Sequence, residues 1–246
     1  MPSKPFCRKA QQGRRHLALK NYTVGTATGG MEIEMQTLVY VLRHGQSEGN
    51  LVNAFVGWGN ARLTPKGEHQ AALAHDFLES IGVSIDRAYS STLIRAERTA
   101  EIASGLPVTT LDDLREIHAG EWEGKAYADL CTLYPESYGV WLKDVGAAKA
   151  DGGETVVEMS RRVVAAICAI AKENPGKTVL VGCHGTPIRA IETAARGYSF
   201  AEMTKTPWAS NASLSCYLCD GERISPVFYS LDYYLGDERT VLPKNV

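Results

Sequence analysis

Two short apolar runs of the chain end in the same way. Thr37-Leu38-Val39-Tyr40-Val41-Leu42 leads into Arg43-His44-Gly45, and Thr178-Val179-Leu180-Val181-Gly182-Cys183 leads into His184-Gly185. Histidine is a nucleophile and proton carrier at neutral pH, because its unperturbed pKa is about 6.5. The glycine after each histidine lets backbone approach a ligand closely. Thr186-Pro187 signals a helix start, which sets free N–H groups and the positive end of a helix dipole beside His184. Such a site wants an anion. Arg43 adjoins the first histidine, and Arg95 lies near the start of a helical stretch just past another apolar run. A guanidinium fork matches a phosphoryl group bidentately, each charge-assisted hydrogen bond contributing roughly 1.5 to 3 kcal/mol. Arg98, one turn on from Arg95, reads as a solvated helix residue, and Arg189 fits either the site or the scaffold.

These residues need a scaffold that delivers them to one place. The run from Thr37 is β-branched and apolar, of the kind buried on both faces of a parallel sheet. Thr64-Pro65 offers an N-cap and a first-turn proline, and Ala71, Leu73, Ala74, Phe77, Leu78 and Ile81 follow at helical spacing, which predicts a helix to about Ser80. Ile85 to Ser90 predicts a second strand and Thr92 to Ser104 a second helix. Glu154 to Glu173 predicts a longer helix with Val156, Met159, Val163, Ile167 and Ile170 on one face. The helix after His184 should stop near Gly197. Ala212 to Leu218 and Arg223 to Tyr229, split by Asp220-Gly221, predict a terminal hairpin. Alternating strands and helices imply an α/β fold of three layers, a mostly parallel sheet with helices on both faces and right-handed crossovers. Ligands of such sheets sit beyond the carboxyl ends of the strands, so both histidines reach the functional edge. Glu121 to Gly153, with Trp122, Tyr127, Tyr134, Tyr138 and Trp141, fits no strand and is expected as a helical excursion over the active-site end.

Of the 246 residues, 44% are hydrophobic and 22% charged, with 26 Lys+Arg against 28 Asp+Glu and a net charge of -2. That profile excludes collagen-like, coiled-coil and wholly disordered chains. No run of about 18 apolar residues could form a membrane-spanning helix. No basic cluster beyond the N-terminus argues for a nucleic-acid partner. The six cysteines are scattered and follow no secretory signal, which points to free thiols in a reducing cytoplasm. Cys216 and Cys219 lie on a predicted strand, where positions three apart face opposite ways, against a zinc or redox pair. Residues 1–36 carry six basic and two acidic groups, leaving 20 basic against 26 acidic on the rest. They are expected to be a disordered N-terminal extension, or the product of a start codon placed upstream of the natural Met31 or Met35, with an Arg-rich transit peptide as the alternative. Residues 37–246 are expected to form one domain.

Leu42-Arg43-His44-Gly45-Gln46-Ser47-Glu48-Gly49-Asn50 resembles the signature of the histidine phosphatase superfamily, in its phosphoglycerate mutase-like branch. Further matches follow in family order. They are Gly57-Trp58, Leu63-Thr64-Pro65-Lys66-Gly67, Ser90 to Ala100, Leu114 to Gly124, Gly152-Gly153-Glu154-Thr155, and His184-Gly185-Thr186-Pro187-Ile188-Arg189. The resemblance covers about residues 37 to 230. It implies that His44 attacks phosphorus to form a phosphohistidine while Arg43, Arg95 and His184 neutralise the transferring group. By the same resemblance, Glu116 protonates the leaving oxygen and then activates water, a role that calls for a pKa raised by burial. Asn50 corresponds to the phosphate-contacting Asn and Gln46 to a residue of the pocket floor, with Gly57, Gly185 and Thr186 also at the phosphate site.

Departures from the family pattern narrow the expectation. The mutases follow the Glu116 position with an Arg and, two residues later, a Tyr that grip phosphoglycerate, where this chain has Ile117 and Ala119. Trp122-Glu123-Gly124 looks like the phosphatase members, including the α-ribazole and broad-specificity types. Gly49 replaces a bulky residue, an exchange expected to widen the entrance. The resemblance therefore implies a cytoplasmic phosphatase of a small phosphorylated metabolite that needs neither metal nor cofactor, with no nucleic-acid or membrane partner and a homodimer left open. The alternatives are mutase-type phosphoryl transfer, a non-catalytic phospholigand binder, and metal-assisted hydrolysis with His44, His184 and Glu116 as ligands. Candidate pocket walls are Trp58, Trp122, Tyr127, Trp141, Lys143, Trp208 and Asn211.

Overall fold

The computed structural model describes residues 35–240. The expectations for the extension up to residue 34 lie outside the described residues. In chain order the elements are β1 (Thr37–Arg43), α1 (Glu48–Leu51), α2 (Pro65–Ser80), β2 (Arg87–Ser91), α3 (Ile94–Ser104) and β3 (Val108–Leu111). Then come α4 (Tyr127–Leu133), α5 (Pro135–Lys143), α6 (Val156–Glu173), β4 (Thr178–Cys183), α7 (Gly185–Ala195), β5 (Leu214–Cys219) and β6 (Ile224–Leu231). The strands form one six-stranded sheet in the order β3-β2-β4-β1-β5-β6. β3, β2, β4 and β1 are parallel, while β5 runs antiparallel to both β1 and β6.

The period-two alternation of the central strands builds two cores. Val39 and Val41 of β1, with Val179 and Val181 of β4, face the larger cluster, which takes in Met159, Val163 and Ile167 of α6 and Ile188 and Ile191 of α7. Tyr40, Leu42 and Leu180 point the other way, onto Ala74 and Leu78 of α2 and Ala103 of α3. Helices thus cover both faces, as the continuous apolar runs of β1 and β4 require. Cys216 and Cys219 fall in opposite clusters, so the sheet separates the two thiols. The five described cysteines are free.

Local signals set the helix starts. Thr64 caps α2 by accepting from the Gly67 amide at 3.0 Å, with Pro65 in the first turn. Thr155 and Glu158 form a reciprocal capping box at α6. The second strand lies at Arg87–Ser91, slightly later than its apolar residues suggest, and β3 was not anticipated. β3 is a short edge strand whose residues are half-buried or exposed, so its sequence lacks the apolar run of an interior strand. The excursion over residues 121–153 is helical, built from α4, α5 and short 3-10 turns. No described helix is long and apolar enough to cross a membrane.

Candidate active site

β2, β4 and β1 are consecutive in the sheet and parallel, so their carboxyl ends lie side by side along one edge. Arg43 is the last residue of β1 and pairs in register with Cys183, the last of β4. The next residue of each strand is a histidine, and the two rings stand 5.2 Å apart between centroids. Arg95 lies in the first turn of α3, just past β2, and Glu116 follows β3 at the same edge. Arg43, His44, Arg95 and Glu116 line a cavity of about 50 Å³ together with Ser47, Asn50, Gly57, Tyr127, Trp141, Thr186 and Trp208, whereas Gly185 and the fully buried His184 are not part of its lining. That is room for roughly three to five water-sized groups, the scale of a phosphoryl group.

The two histidines are held neutral. Burial pushes the His44 pKa well below its ordinary 6.5, and the Arg95 and Arg43 charges push it further. Burial, then Arg95, His44 and Arg43, do the same to His184. His44 Nδ1 lies 2.7 Å from the Gly45 carbonyl and donates to it, which leaves a lone pair on Nε2. A neutral imidazole so oriented can attack phosphorus. Among the described residues neither ring nitrogen of His184 has a hydrogen-bond partner, and Arg43 Nε is also buried without one. Unpaired buried polar atoms of this kind are costly; Arg43 lines the cavity, where an anion would satisfy its Nε, while His184 stands beside His44 without lining it.

The cations are fixed in place before any ligand arrives. Arg95, 1% exposed, donates from Nη1 to the Gly59 carbonyl at 2.7 Å and from Nη2 to the Gly57 carbonyl at 2.8 Å. Burial lowers its pKa to about 10, so it stays charged at neutral pH. Arg43 Nη1 donates to the Ala209 carbonyl. His184 is the N-cap of α7, so the helix N-terminus, with Thr186 on the cavity lining, opens toward the site. The Thr186 amide is 3.4 Å from Glu116 Oε2, and the Ile117 amide donates to Oε1 at 2.9 Å. Among the described residues no three His, Cys, Asp or Glu side chains converge in a metal-binding group.

A model of the histidine phosphatase superfamily, branch 1, matches residues 39–231. The chain belongs to the histidine phosphatase superfamily. Among its relatives, a 2,3-bisphosphoglycerate-dependent phosphoglycerate mutase from Methylobacterium radiotolerans is 32% identical over 69% of this chain and 84% of that protein. The adenosylcobalamin/alpha-ribazole phosphatase of Escherichia coli is 31% identical over 59% of this chain and 72% of that protein. Among solved structures, Bacillus stearothermophilus YhfR superposes with a TM-score of 0.76 at 27% identity, covering 81% of this chain and 99% of that one. A mycobacterial glucosyl-3-phosphoglycerate phosphatase superposes with a TM-score of 0.68 at 25% identity, covering 79% and 98%.

Several residues of the superfamily signature sit differently from expectation. Asn50 lines the cavity, and its Oδ1 is occupied by the Ser47 amide, the Ser47 hydroxyl and Asn211 Nδ2, which leaves its own Nδ2 to donate to a ligand. Gln46 does not line it; its Oε1 instead accepts from the Thr64 hydroxyl at 3.0 Å, tying the signature loop to the start of α2. Gly45 owes its identity to the scaffold rather than to a ligand, since a Cβ there would stand 2.3 Å from the Gly67 carbonyl oxygen. Gly49 does not widen the entrance, because a methyl of Val56 fills the space its Cβ would take. Gly57 is required by its φ of 51° and presents its carbonyl to Arg95.

Of the candidate walls, Tyr127, Trp141 and Trp208 line the cavity, whereas Trp58, Trp122, Lys143 and Asn211 do not. Trp122 is fully buried core. Asn211 lies behind the site, donating to the His44 carbonyl at 3.1 Å. Trp58 packs against His118 with ring centroids 4.6 Å apart and tilted by 53°, and donates its indole N–H to the Glu116 carbonyl at 2.8 Å.

Sequence reasoning missed Arg162. From α6 it donates to the carbonyls of Asp113, Arg115 and Glu116, while Glu154 pairs with its other edge. Nothing in its sequence neighbourhood marks it, and only the tertiary fold brings the loop after β3 beneath it.

The neutral histidines make stability depend on pH. Their native pKa values lie below the unfolded 6.5, so the unfolded chain binds the extra protons. Their contribution is complete above that value and is lost as pH falls from there toward the native values, by up to about 1.4 kcal/mol per pH unit for each ring. Urea unfolding between about pH 7 and pH 5 should show this fall, and His184→Ala should make it about half as steep.

Proposed function

We propose that this chain is a phosphatase that hydrolyses a small phosphomonoester through a phosphohistidine on His44. The observation that carries this reading is the pairing of two neutral, adjacent histidines with two buried, prefixed arginines, with His44, Arg43 and Arg95 lining a phosphoryl-sized cavity. In this reading His44 Nε2 attacks phosphorus, and Arg43, Arg95, His184, Asn50 and the α7 amides neutralise the oxygens on which negative charge gathers. Glu116 gives its proton to the departing alkoxide. It then takes one from the water that attacks the phosphohistidine, which restores His44 and releases phosphate.

Hydrolysis is favoured over mutase transfer by what stands beyond the phosphoryl site. Ile117 is 1% exposed and Ala119 is buried, so the positions the mutases use to grip phosphoglycerate bring neither cation nor hydroxyl. The test is phosphate release from sugar phosphates, phosphoglycerates, nucleotides and α-ribazole phosphate, in the presence of EDTA. Release is expected to persist in the chelator. Movement of label between the positions of phosphoglycerate without release of phosphate would establish the mutase instead.

Arg162 positions Glu116 through the loop backbone. Replacing it by alanine should lower kcat by up to about 10²-fold with little change in KM, because a misplaced acid costs the chemical step rather than phosphate binding. Arg162→Lys should not restore the rate, since one ammonium cannot span three carbonyls and a carboxylate. Equal losses in kcat and in substrate affinity would point to general disruption.

A further inference from the structure

The rest of the lining of this cavity, which is partly open to solvent, has a different chemistry from the two arginines. Phe55, Tyr127, Trp141 and Trp208 line it together with Ala54 and Val56, and among the described residues the charged groups in the lining are Arg43, Arg95 and Glu116. The rings brace one another: Phe55 packs on Trp141 at 5.1 Å and on Tyr127 at 5.8 Å, and Trp141 on Trp208 at 6.0 Å. Trp208 is further held by Arg189, whose guanidinium carbon lies 4.2 Å from the ring centroid.

Arg189 is an expensive support. It is 4% exposed, and among the described residues it pairs with no carboxylate. Its Nε and Nη2 donate to the carbonyls of Thr206 and Met203 at 2.8 and 2.9 Å. It does not line the cavity. A buried cation kept without an ion-pair partner is costly, and here it ties α7 to the carbonyls of Met203 and Thr206 while its guanidinium lies against one indole that does face the cavity. The arrangement gives a rigid aromatic wall next to a phosphoryl site.

Resting on the phosphatase reading for the reaction, we propose that this wall selects phosphomonoesters whose leaving group is an uncharged ring, with Trp208 as its principal contact and Arg189 as the residue that positions it. A ring on the leaving oxygen meets aromatic faces and edges that are already ordered, so little entropy is lost on binding. A second anion, such as a carboxylate, finds no further cation in the lining and meets Glu116 instead.

The test uses non-hydrolysable phosphonates, so that its outcome does not depend on turnover. Binding of benzylphosphonate, ethylphosphonate and 3-phosphonopropionate is measured by calorimetry on the full chain and on Trp208→Ala and Trp208→Phe. Benzylphosphonate should bind about tenfold more tightly than either of the others. Trp208→Ala should bring the benzyl-to-ethyl ratio close to one, and Trp208→Phe should keep most of it. A preference for 3-phosphonopropionate, or a ratio unchanged in Trp208→Ala, would overturn the proposal. The benzyl preference found in a chain that releases no phosphate from any ester would support the wall and refute the phosphatase reading alone.

Discussion

His44→Ala should lower phosphate release by about 10³-fold or more, because it removes the atom that forms the bond to phosphorus. The loss should fall on kcat, since Arg43, Arg95, Asn50 and the α7 amides still bind the phosphoryl group. The fold should survive. The imidazole makes one hydrogen bond to the backbone, to the Gly45 carbonyl, and the His44 backbone is held independently by the Cys183 carbonyl and Asn211. A far-UV spectrum and urea midpoint near those of the wild type would separate loss of the nucleophile from loss of structure. Phosphate release continuing at a substantial fraction of the wild-type rate would mean that water attacks directly or that another group is the nucleophile.

Arg95→Ala should reduce kcat/KM by about 10² to 10³-fold, the scale set by removing one preorganised donor from a transition state that gathers charge. It should also destabilise the fold by about 2 to 4 kcal/mol, because the Gly57 and Gly59 carbonyls lose their donors and a fully buried side chain becomes a void. Arg95→Lys is the informative control. A lysine restores the charge but cannot reach two carbonyls and a phosphoryl oxygen with the same planar geometry, so it should recover only a minor part of the activity. Full recovery in Arg95→Lys would reduce the role of this residue to its charge. A rate loss without any loss of stability would show that the loop of residues 57–59 does not depend on it.

The two matching strand ends, Arg43-His44-Gly45 and His184-Gly185, were visible in the sequence because each follows an uninterrupted apolar run. Their adjacency was not. It depends on β4 lying beside β1 in the sheet, a long-range pairing that no local signal encodes. Trp141 and Trp122 illustrate the same limit, since both are tryptophans of the excursion and only packing decides that one faces the cavity and the other the core. Gly45 and Gly49 were recognisable as special positions, but the neighbours that require them, Gly67 and Val56, lie elsewhere in the chain. Gln46, expected in the pocket floor, is drawn away by a hydrogen bond to the helix cap Thr64. Arg162 was unreadable for a related reason: its partners are mostly backbone carbonyls, which have no residue type to recognise.

The most direct measurement is rapid acid-free quenching of the enzyme with a ³²P-labelled phosphomonoester, followed by peptide mapping under alkaline conditions. The label should appear within a single turnover on the peptide that contains His44, should be lost on brief acid treatment as a phosphohistidine is, and should be absent from His44→Ala. Steady phosphate release with no label ever trapped on that peptide, or label found on a different residue, would contradict a covalent mechanism through His44.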